Sequence, residues 1–471
     1  MNFNFSKPEN WQLVKLSSLG EVNRGRSRHR PRDAAHLYGG PYPFIQTGDV
    51  KASNGRISNY TQTYSEAGLA QSRLWPSGTM CITIAANIAE TGILEFPACF
   101  PDSVIGFIPA PDKCDVHFIE YMFRLMKKRI QAQATGSVQD NINLQTLERI
   151  EFPLPNLAEQ KRIAKILCRL DDKIQLNHQI NQTLEQMAQA IFKSWFVDFE
   201  PVRAKVAALA AGGSEQDALL VAMQTISGKN EAALARLEAE QPEQYAELQA
   251  TAELFPSAMQ DSELGKIPEG WEAGTLNDVA YLNKSSWSKK TLPEELLYVD
   301  LSNTKQGVIE VATPYASSEA PSRARRRLSD GDTIIGTVRP GNKSYAFIKD
   351  PESHLTGSTG FAVLSPKKSE FAEFVYLAAT SEESISHLAH LADGGAYPAV
   401  RPDVVSGLSC VIPDQSVLVT YHRLITANFS LRHELMKENS RLAQLRDTLL
   451  PKLLSGELNL TEIENAEVTT A

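Results

Sequence analysis

The sequence predicts an α/β fold with long helices, in which two β-rich α/β domains in pseudo-two-fold arrangement are separated by an antiparallel coiled coil. An internal repeat is the first reason: Glu9-Asn10-Trp11 returns as Glu269-Gly270-Trp271, and further matches follow in the same order. The second is a pair of β-branched runs after glycine-containing turns, Met80-Cys81-Ile82-Thr83-Ile84 in one copy and Thr333-Ile334-Ile335-Gly336-Thr337-Val338 in the other, which suits strands. The third is a heptad pattern that follows each copy.

The first domain covers residues 1–155 and the second residues 266–413, and their elements correspond one by one. Lys51-Ala52-Ser53-Asn54-Gly55-Arg56-Ile57 matches Asn303-Thr304-Lys305-Gln306-Gly307-Val308-Ile309, and Ser77-Gly78-Thr79 matches Asp330-Gly331-Asp332. Gly106-Phe107 then pairs with Gly360-Phe361, Phe118-Ile119-Glu120-Tyr121 with Phe374-Val375-Tyr376-Leu377, and Pro155 with Pro413. Small loop insertions account for the drift in spacing between the copies.

A central helical region, residues 156–265, joins the two domains, and residues 414–471 form a C-terminal helix. Asn156-Leu157-Ala158-Glu159, after the breaker Pro153-Leu154-Pro155, reads as a capped helix start, and the helix runs over 156–192. Its heptad places Ile163, Leu170, Asn177, Leu184 and Ile191 at a, with Ile166, Lys173, Ile180 and Met187 at d. The second helix has Tyr421, Asn428, Leu435, Leu442 and Leu449 at a, with Leu424, Leu431, Glu438 and Leu445 at d. Antiparallel pairing in register sets Leu170 against Leu445, Ile180 against Leu435 and Leu184 against Leu431. The same register puts Asn177 opposite Glu438, within reach of Lys173. Residues 200–265 are acidic and Ala-rich, with Ser214-Glu215-Gln216-Asp217 as a helix start, and read as a helical insertion. The aromatic string from Ile191 to Phe199 is assigned to closing the end of the helical bundle.

Composition is that of an ordinary globular protein, with 42% hydrophobic and 22% charged residues in a chain of 471. No apolar run approaches the roughly 18 residues that cross a bilayer, and Met1-Asn2-Phe3-Asn4-Phe5-Ser6-Lys7 lacks a signal-peptide pattern, so a cytoplasmic location is expected without membrane contact. Five cysteines without a C-x-x-C pair indicate neither a disulfide framework nor a zinc site. The formal charge of −9 is unevenly spread: residues 156–265 hold 10 basic against 16 acidic residues, whereas residues 1–155 hold 16 against 14.

Concentrated positive runs lie in the two domains, Arg24, Arg26, Arg28, Arg30 and Arg32 in the first and Arg323, Arg325, Arg326 and Arg327 in the second. Each adjoins Pro, Gly or Ser and is expected on a loop, where arginines meet phosphates or base edges. Lys51 is a further candidate. Asn87, in the loop after the first β-branched run, and Arg339, Asn342 and Lys343, in the corresponding loop of the second copy, are candidates for base contact. Ser137 and Gln139, in Gly136-Ser137-x-Gln139, complete the set.

Three elements in fixed order, Pro155-x-x-x-Glu159-Gln160-x-x-Ile163, Ile191-Phe192-Lys193-Ser194-Trp195-Phe196-Val197-Asp198-Phe199 and Leu264-Gly265-x-Ile267-Pro268-Glu269-Gly270-Trp271, resemble the specificity subunit of type I restriction-modification systems. The resemblance covers essentially the whole chain. It departs at Asp414-Gln415-Ser416, where the second helix lacks the Glu-Gln start, and at Gly394-Gly395, which stand opposite Gly136-Ser137-x-Gln139. It implies two target-recognition domains that each read half of a bipartite, asymmetric double-stranded DNA site. It also implies helices that space the halves and dock two methyltransferase subunits, with restriction and translocase subunits joining through the assembled complex. Catalysis, with AdoMet, ATP and Mg, then belongs to partner subunits. The chain has no Asn-Pro-Pro-aromatic signature, Gly-rich AdoMet loop or Walker A motif, and no catalytic residue or metal ligand is assigned to it. Two other classes stay open: a self-contained Mg-dependent nuclease using Pro101-Asp102 with Glu159-Gln160-Lys161, and a coiled-coil DNA scaffold without sequence preference.

Overall fold

A computed structural model describes residues 10–85, 87–134, 144–395 and 397–458. The chain divides into two compact units, residues 1–177 with 437–471 and residues 178–436. No helix among the described residues is long and apolar enough to cross a membrane.

In the first unit a five-stranded sheet runs in the order Gly20–Arg24, Val104–Pro109, Met80–Thr83, Thr91–Leu94, Gly55–Ile57. All neighbours are antiparallel except the last pair, which is parallel. Every residue of Met80–Thr83 and Thr91–Leu94 is buried, so these central strands read as continuous apolar or β-branched runs rather than alternating ones. The Trp75 ring stacks on Phe100 at 4.7 Å, and the helix Val116–Ala134 contributes Phe118, Tyr121 and Met122 to the core on the sheet.

The second unit repeats the design. Its sheet runs Ala280–Leu282, Phe361–Pro366, Thr333–Gly336, Tyr345–Phe347, the same order as the first four strands of the other sheet. The matched glycines take the same turns: Gly55 and Gly307 sit at φ 92° and 82°, Gly78 and Gly331 at 81° and 80°. A second four-stranded sheet runs Thr313–Ala316, Glu295–Val299, Leu355–Ser358, Ala324–Arg327, and the first unit has a shorter counterpart in which Gln62–Tyr64 pairs with Tyr38–Phe44, Phe44 bridges Cys99 in parallel and Ala98 bridges Trp75 antiparallel. The insertion forms four helices, Glu200–Ala210, Glu215–Ser227, Glu231–Glu240 and Pro242–Glu253. Ser214 and Asp217 form the expected capping box, and the buried Lys205 donates to the Phe255 carbonyl at 2.6 Å. The aromatic string closes this core, with Trp195 at 5.7 Å from Tyr421 and Phe196 at 5.2 Å from Phe374 and 6.0 Å from Trp271.

Two 40-residue helices, Leu157–Phe196 and Gln415–Leu454, carry the heptads. Asn156 caps the first through a bond from the Glu159 amide at 3.0 Å. Gln160 is buried and bridges two chain segments, accepting from the Asp115 amide and donating to the Pro155 carbonyl, both at 2.9 Å. Asn177 meets Glu438 at 2.7 Å and Asn439 at 2.9 Å, and Lys173 lies 3.4 Å from Glu438.

The heptad phase, however, needs correction. Ile163 and Asn177 are buried, and Leu170, Leu184, Ile191, Leu435 and Leu442 half-buried, but Leu431 and Leu445 are 48% and 47% exposed and Glu438 is half-exposed. The companion positions lie four residues on instead of three: Leu167, Ile174, Asn181, Ala188 and Trp195 in the first helix, Ile425, Arg432, Asn439, Arg446 and Leu453 in the second. At 3.6 residues per turn, i+3 and i+4 flank the same line, and only packing selects between them. Counting apolar residues favours Leu431 and Leu445 because the true seam holds Arg432, Asn439 and Arg446.

These polar seam residues anchor the globular parts. In the first unit Asp171 Oδ2 accepts from the Tyr121 hydroxyl at 2.6 Å and Arg124 at 3.1 Å, while Asp171 Oδ1 takes Arg446 at 2.8 Å. Burial raises the Asp171 carboxyl, but Arg124, Tyr121 and Arg446 outweigh it and hold it below the usual range. The second unit uses the same chemistry: the Tyr376 hydroxyl donates to Glu185 at 3.0 Å, and Arg432 lies 2.8 Å from Glu185 and donates to the Gly307 carbonyl at 3.0 Å. Arg432→Met strands the Glu185 carboxylate, and a loss of about 3–5 kcal/mol is expected, read as an earlier unfolding transition in denaturant. Adding Glu185→Gln to that variant should recover part of the loss. Equal midpoints for the two variants would show that the ion pair is not what holds this unit.

Candidate nucleic-acid interface

The arginine run of the first unit follows the edge strand Gly20–Arg24 and is pinned at several points. Arg24 Nε donates to the Asp102 carbonyl at 2.9 Å, and Arg32 forms a two-pronged pair with the Asp102 carboxylate at 2.8 and 2.9 Å. The His29 amide bonds the Gln71 side chain at 2.9 Å, the His29 and His36 rings meet edge-on at 4.9 Å, and Arg30 caps the Ser27 and His29 carbonyls. Ser27 is buried between Arg26 and Arg28, so the extended chain turns both arginines outward. Arg26 and Arg28 are exposed and make no side-chain hydrogen bond or ion pair among the described residues.

Lys51 is exposed on the short helix Thr47–Ala52. Asn87 is half-buried, and its loop is drawn in by Thr83, whose hydroxyl donates to the Asn87 carbonyl and accepts from the Glu90 amide at 3.0 Å. Ser137 and Gln139 lie outside the described residues.

In the second unit the basic run is not a loop. Arg325, Arg326 and Arg327 lie on the strand Ala324–Arg327, which pairs with Leu355–Ser358 across a register shift at Ala324/Arg326. Strand alternation separates the last two: Arg327 is exposed over the Trp287 ring at 4.8 Å, whereas Arg326 is half-buried and burial pulls its guanidinium pKa down. Arg325 bonds the Ala324 carbonyl at 2.8 Å, and Arg323, just before the strand, is exposed. Local polarity points to a loop, but ladder pairing with a neighbouring strand prevails.

Trp287 is not among the residues that sequence reasoning selects. Its indole N–H donates to Thr356 at 3.0 Å, its backbone amide bonds the Arg325 carbonyl at 2.8 Å, and its ring meets His354 edge-on at 6.1 Å. The exposed Lys289 and Lys290 follow in the same segment. The signal is present as Lys284-Ser285-Ser286-Trp287-Ser288-Lys289-Lys290, a basic stretch interrupted by an aromatic. Tyr397, 72% exposed, also escapes sequence reasoning; Arg339 stacks over its ring at 4.7 Å. Asn342 is exposed in the turn Pro340–Asn342, and Lys343 is held by Glu382 at 2.6 Å.

Each unit therefore presents arginines with aromatic or imidazole neighbours, an arrangement suited to phosphates and base edges. Among the described residues no three or more His, Cys, Asp or Glu side chains gather where they could hold a metal ion. Asp102, one of the two acidic residues of the nuclease-like pattern, is occupied by Arg32.

A family model described as "Type I restriction modification DNA specificity domain" matches residues 8–186. The HindI specificity subunit of a Haemophilus influenzae type I restriction enzyme is 32% identical, over 94% of this chain and 99% of that one. The MjaIX specificity subunit from Methanocaldococcus jannaschii is 23% identical, over 97% of this chain and 95% of that one. Among solved structures, the S subunit of a type I restriction-modification system from M. genitalium shares the fold at a TM-score of 0.50, with 16% identity over 96% of this chain and 97% of that one.

Arg26 and Arg28 are the exposed side chains of the first run that carry no hydrogen bond or ion pair among the described residues. Replacing both with Ala is expected to flatten the dependence of log affinity on log salt by about 0.9 for each phosphate no longer neutralised. Replacing Arg24 or Arg32, which are committed to Asp102, should leave that slope unchanged. A slope unmoved by the Arg26 and Arg28 changes would reduce the run to a solvated loop.

Proposed function

The chain belongs to the specificity subunits of type I restriction-modification systems, the non-catalytic components that confer DNA recognition, and we propose that each of its lobes reads one half of a bipartite, asymmetric site. One observation carries this: the same sheet order occurs twice, and each copy has its own basic surface built from different residues, Arg26 and Arg28 in one and Arg327 with Trp287 in the other. Independent surfaces read independent sequences, because base-edge discrimination depends on which side chains reach the groove. The long helices space the two halves.

The helices also dock two methyltransferase subunits. Leu424 and Leu431 stand seven residues apart on the second helix and are each nearly half exposed. Apolar side chains at that spacing make a stripe for a partner helix, beside the seam and not in it. AdoMet is carried by the methyltransferase subunits, and ATP and Mg by the restriction and translocase subunits that join the assembled complex.

Two outcomes test the reading. Exchanging residues 1–150 for the equivalent domain of a relative should change one half-site in the methylated sequence and leave the other intact. A change in both halves would defeat the assignment of one lobe to one half-site. Replacing Leu424 and Leu431 with Lys should reduce co-purification with the methyltransferase subunit while leaving the melting temperature of the specificity subunit unchanged. Undiminished assembly would remove the stripe from the docking surface.

A further inference from the structure

The second lobe contains one short turn at which costly backbone geometry, an exposed aromatic and a stacked arginine coincide. Arg339 and Lys343 flank the turn Pro340–Asn342 in the left-handed region, at φ 48° and 57°. Residues with a Cβ rarely adopt that conformation, and it persists where the surroundings hold it in place. Here a second segment does so. The Arg339 amide donates to the Pro398 carbonyl at 2.7 Å and the Val400 amide to the Thr337 carbonyl at 2.9 Å. Asp393 and Ala399 exchange both backbone bonds, at 3.1 and 2.9 Å. Lys343 ties the other side of the turn to Glu382 at 2.6 Å.

Tyr397, at the tip of the second loop, leaves 72% of its surface in water while its ring lies 4.7 Å from the Arg339 guanidinium. Both partners are exposed, so the stack buries little, and its effect is to restrict the planar fork of the arginine before any ligand arrives.

We propose that Arg339, oriented by Tyr397, is a base-reading arginine of the second lobe and takes the O6 and N7 edge of a guanine. Guanine is the base whose major-groove edge offers two acceptors to a guanidinium fork. Arg339 is then a specificity residue and Tyr397 a positioning residue. The assignment rests on the reading above, in which the second lobe recognises one half-site.

The test uses the full complex with its methyltransferase subunits, measuring methylation of duplexes that carry each single base-pair change in both half-sites. Arg339→Gly removes the fork and relaxes the left-handed backbone, so its thermal midpoint should not fall. It is expected to lose about 10- to 100-fold discrimination at one G·C pair of the second half-site, with other positions unchanged. Arg339→Lys, which keeps the charge and can still donate to O6 and N7 but lacks the planar fork, should keep part of the discrimination at the same pair with the salt dependence preserved. Tyr397→Ala should weaken discrimination there by a smaller factor, and Tyr397→Phe should behave as the unaltered protein. Full discrimination by both Arg339 variants, or a loss spread evenly over the two half-sites, would overturn the assignment. Exchange of the first lobe separates the failures: if it alters both half-sites, the underlying reading fails, and if it alters one while Arg339→Gly discriminates normally, only the role of Arg339 fails.

Discussion

In each unit a tyrosine hydroxyl from the globular part, a carboxylate of the first long helix and an arginine of the second meet in one desolvated site: Tyr121, Asp171 and Arg446 in one, Tyr376, Glu185 and Arg432 in the other. Much else in the architecture follows from this constraint. A buried ion pair adds little net stability relative to an apolar contact, yet losing one partner is severe, so each site enforces a single arrangement of lobe and helices within its unit. The site also dictates local backbone. Gly55 and Gly307 both sit at positive φ, 92° and 82°, and a Cβ there would also stand 1.7 Å from Arg124 Nη2 and 2.4 Å from Arg432 Nη2, so glycine suits both copies of that turn.

The helical seam shows the same preference for specificity over apolar burial. Asn177, Asn181, Arg432 and Asn439 occupy buried positions where leucine would pack more cheaply. The Asn177 amide nitrogen donates to Glu438 and Asn439, and Asn439 reaches back to the Ile174 carbonyl at 3.4 Å, so a shifted register would leave these groups without partners. Leucines displaced from the seam then remain on the outer face at Leu424, Leu431 and Leu445.

The two lobes share a scaffold and differ where they face outward. In the first, a cross-link from Arg32 to Asp102 and the His29–His36 contact stiffen an extended segment that offers Arg26 and Arg28. In the second, a longer outer sheet carries the basic run on a strand, with Trp287 fixed by Thr356 beneath Arg327. A rigid common sheet with locally divergent edges suits a protein in which recognition changes while the connection to the helices is kept.

The sequence by itself determined the repeat, the strand runs and the two helices, because these depend on local patterns: Gly78 and Gly331 need the same left-handed turn, and Asn156 caps with its own helix. It also located the Asn177–Glu438 contact, since antiparallel heptads leave few registers. Tertiary structure alone decided the heptad phase, because i+3 and i+4 differ only through what packs against them. It likewise decided which arginines remain available. Arg24, Arg32 and Lys343 are consumed by partners distant in sequence, Asp102 and Glu382, and Tyr397 meets Arg339 across a loop contact with no local signature. Charge and spacing are written along the chain, whereas the pairing of one side chain with another far away exists only once the sheets have brought them together.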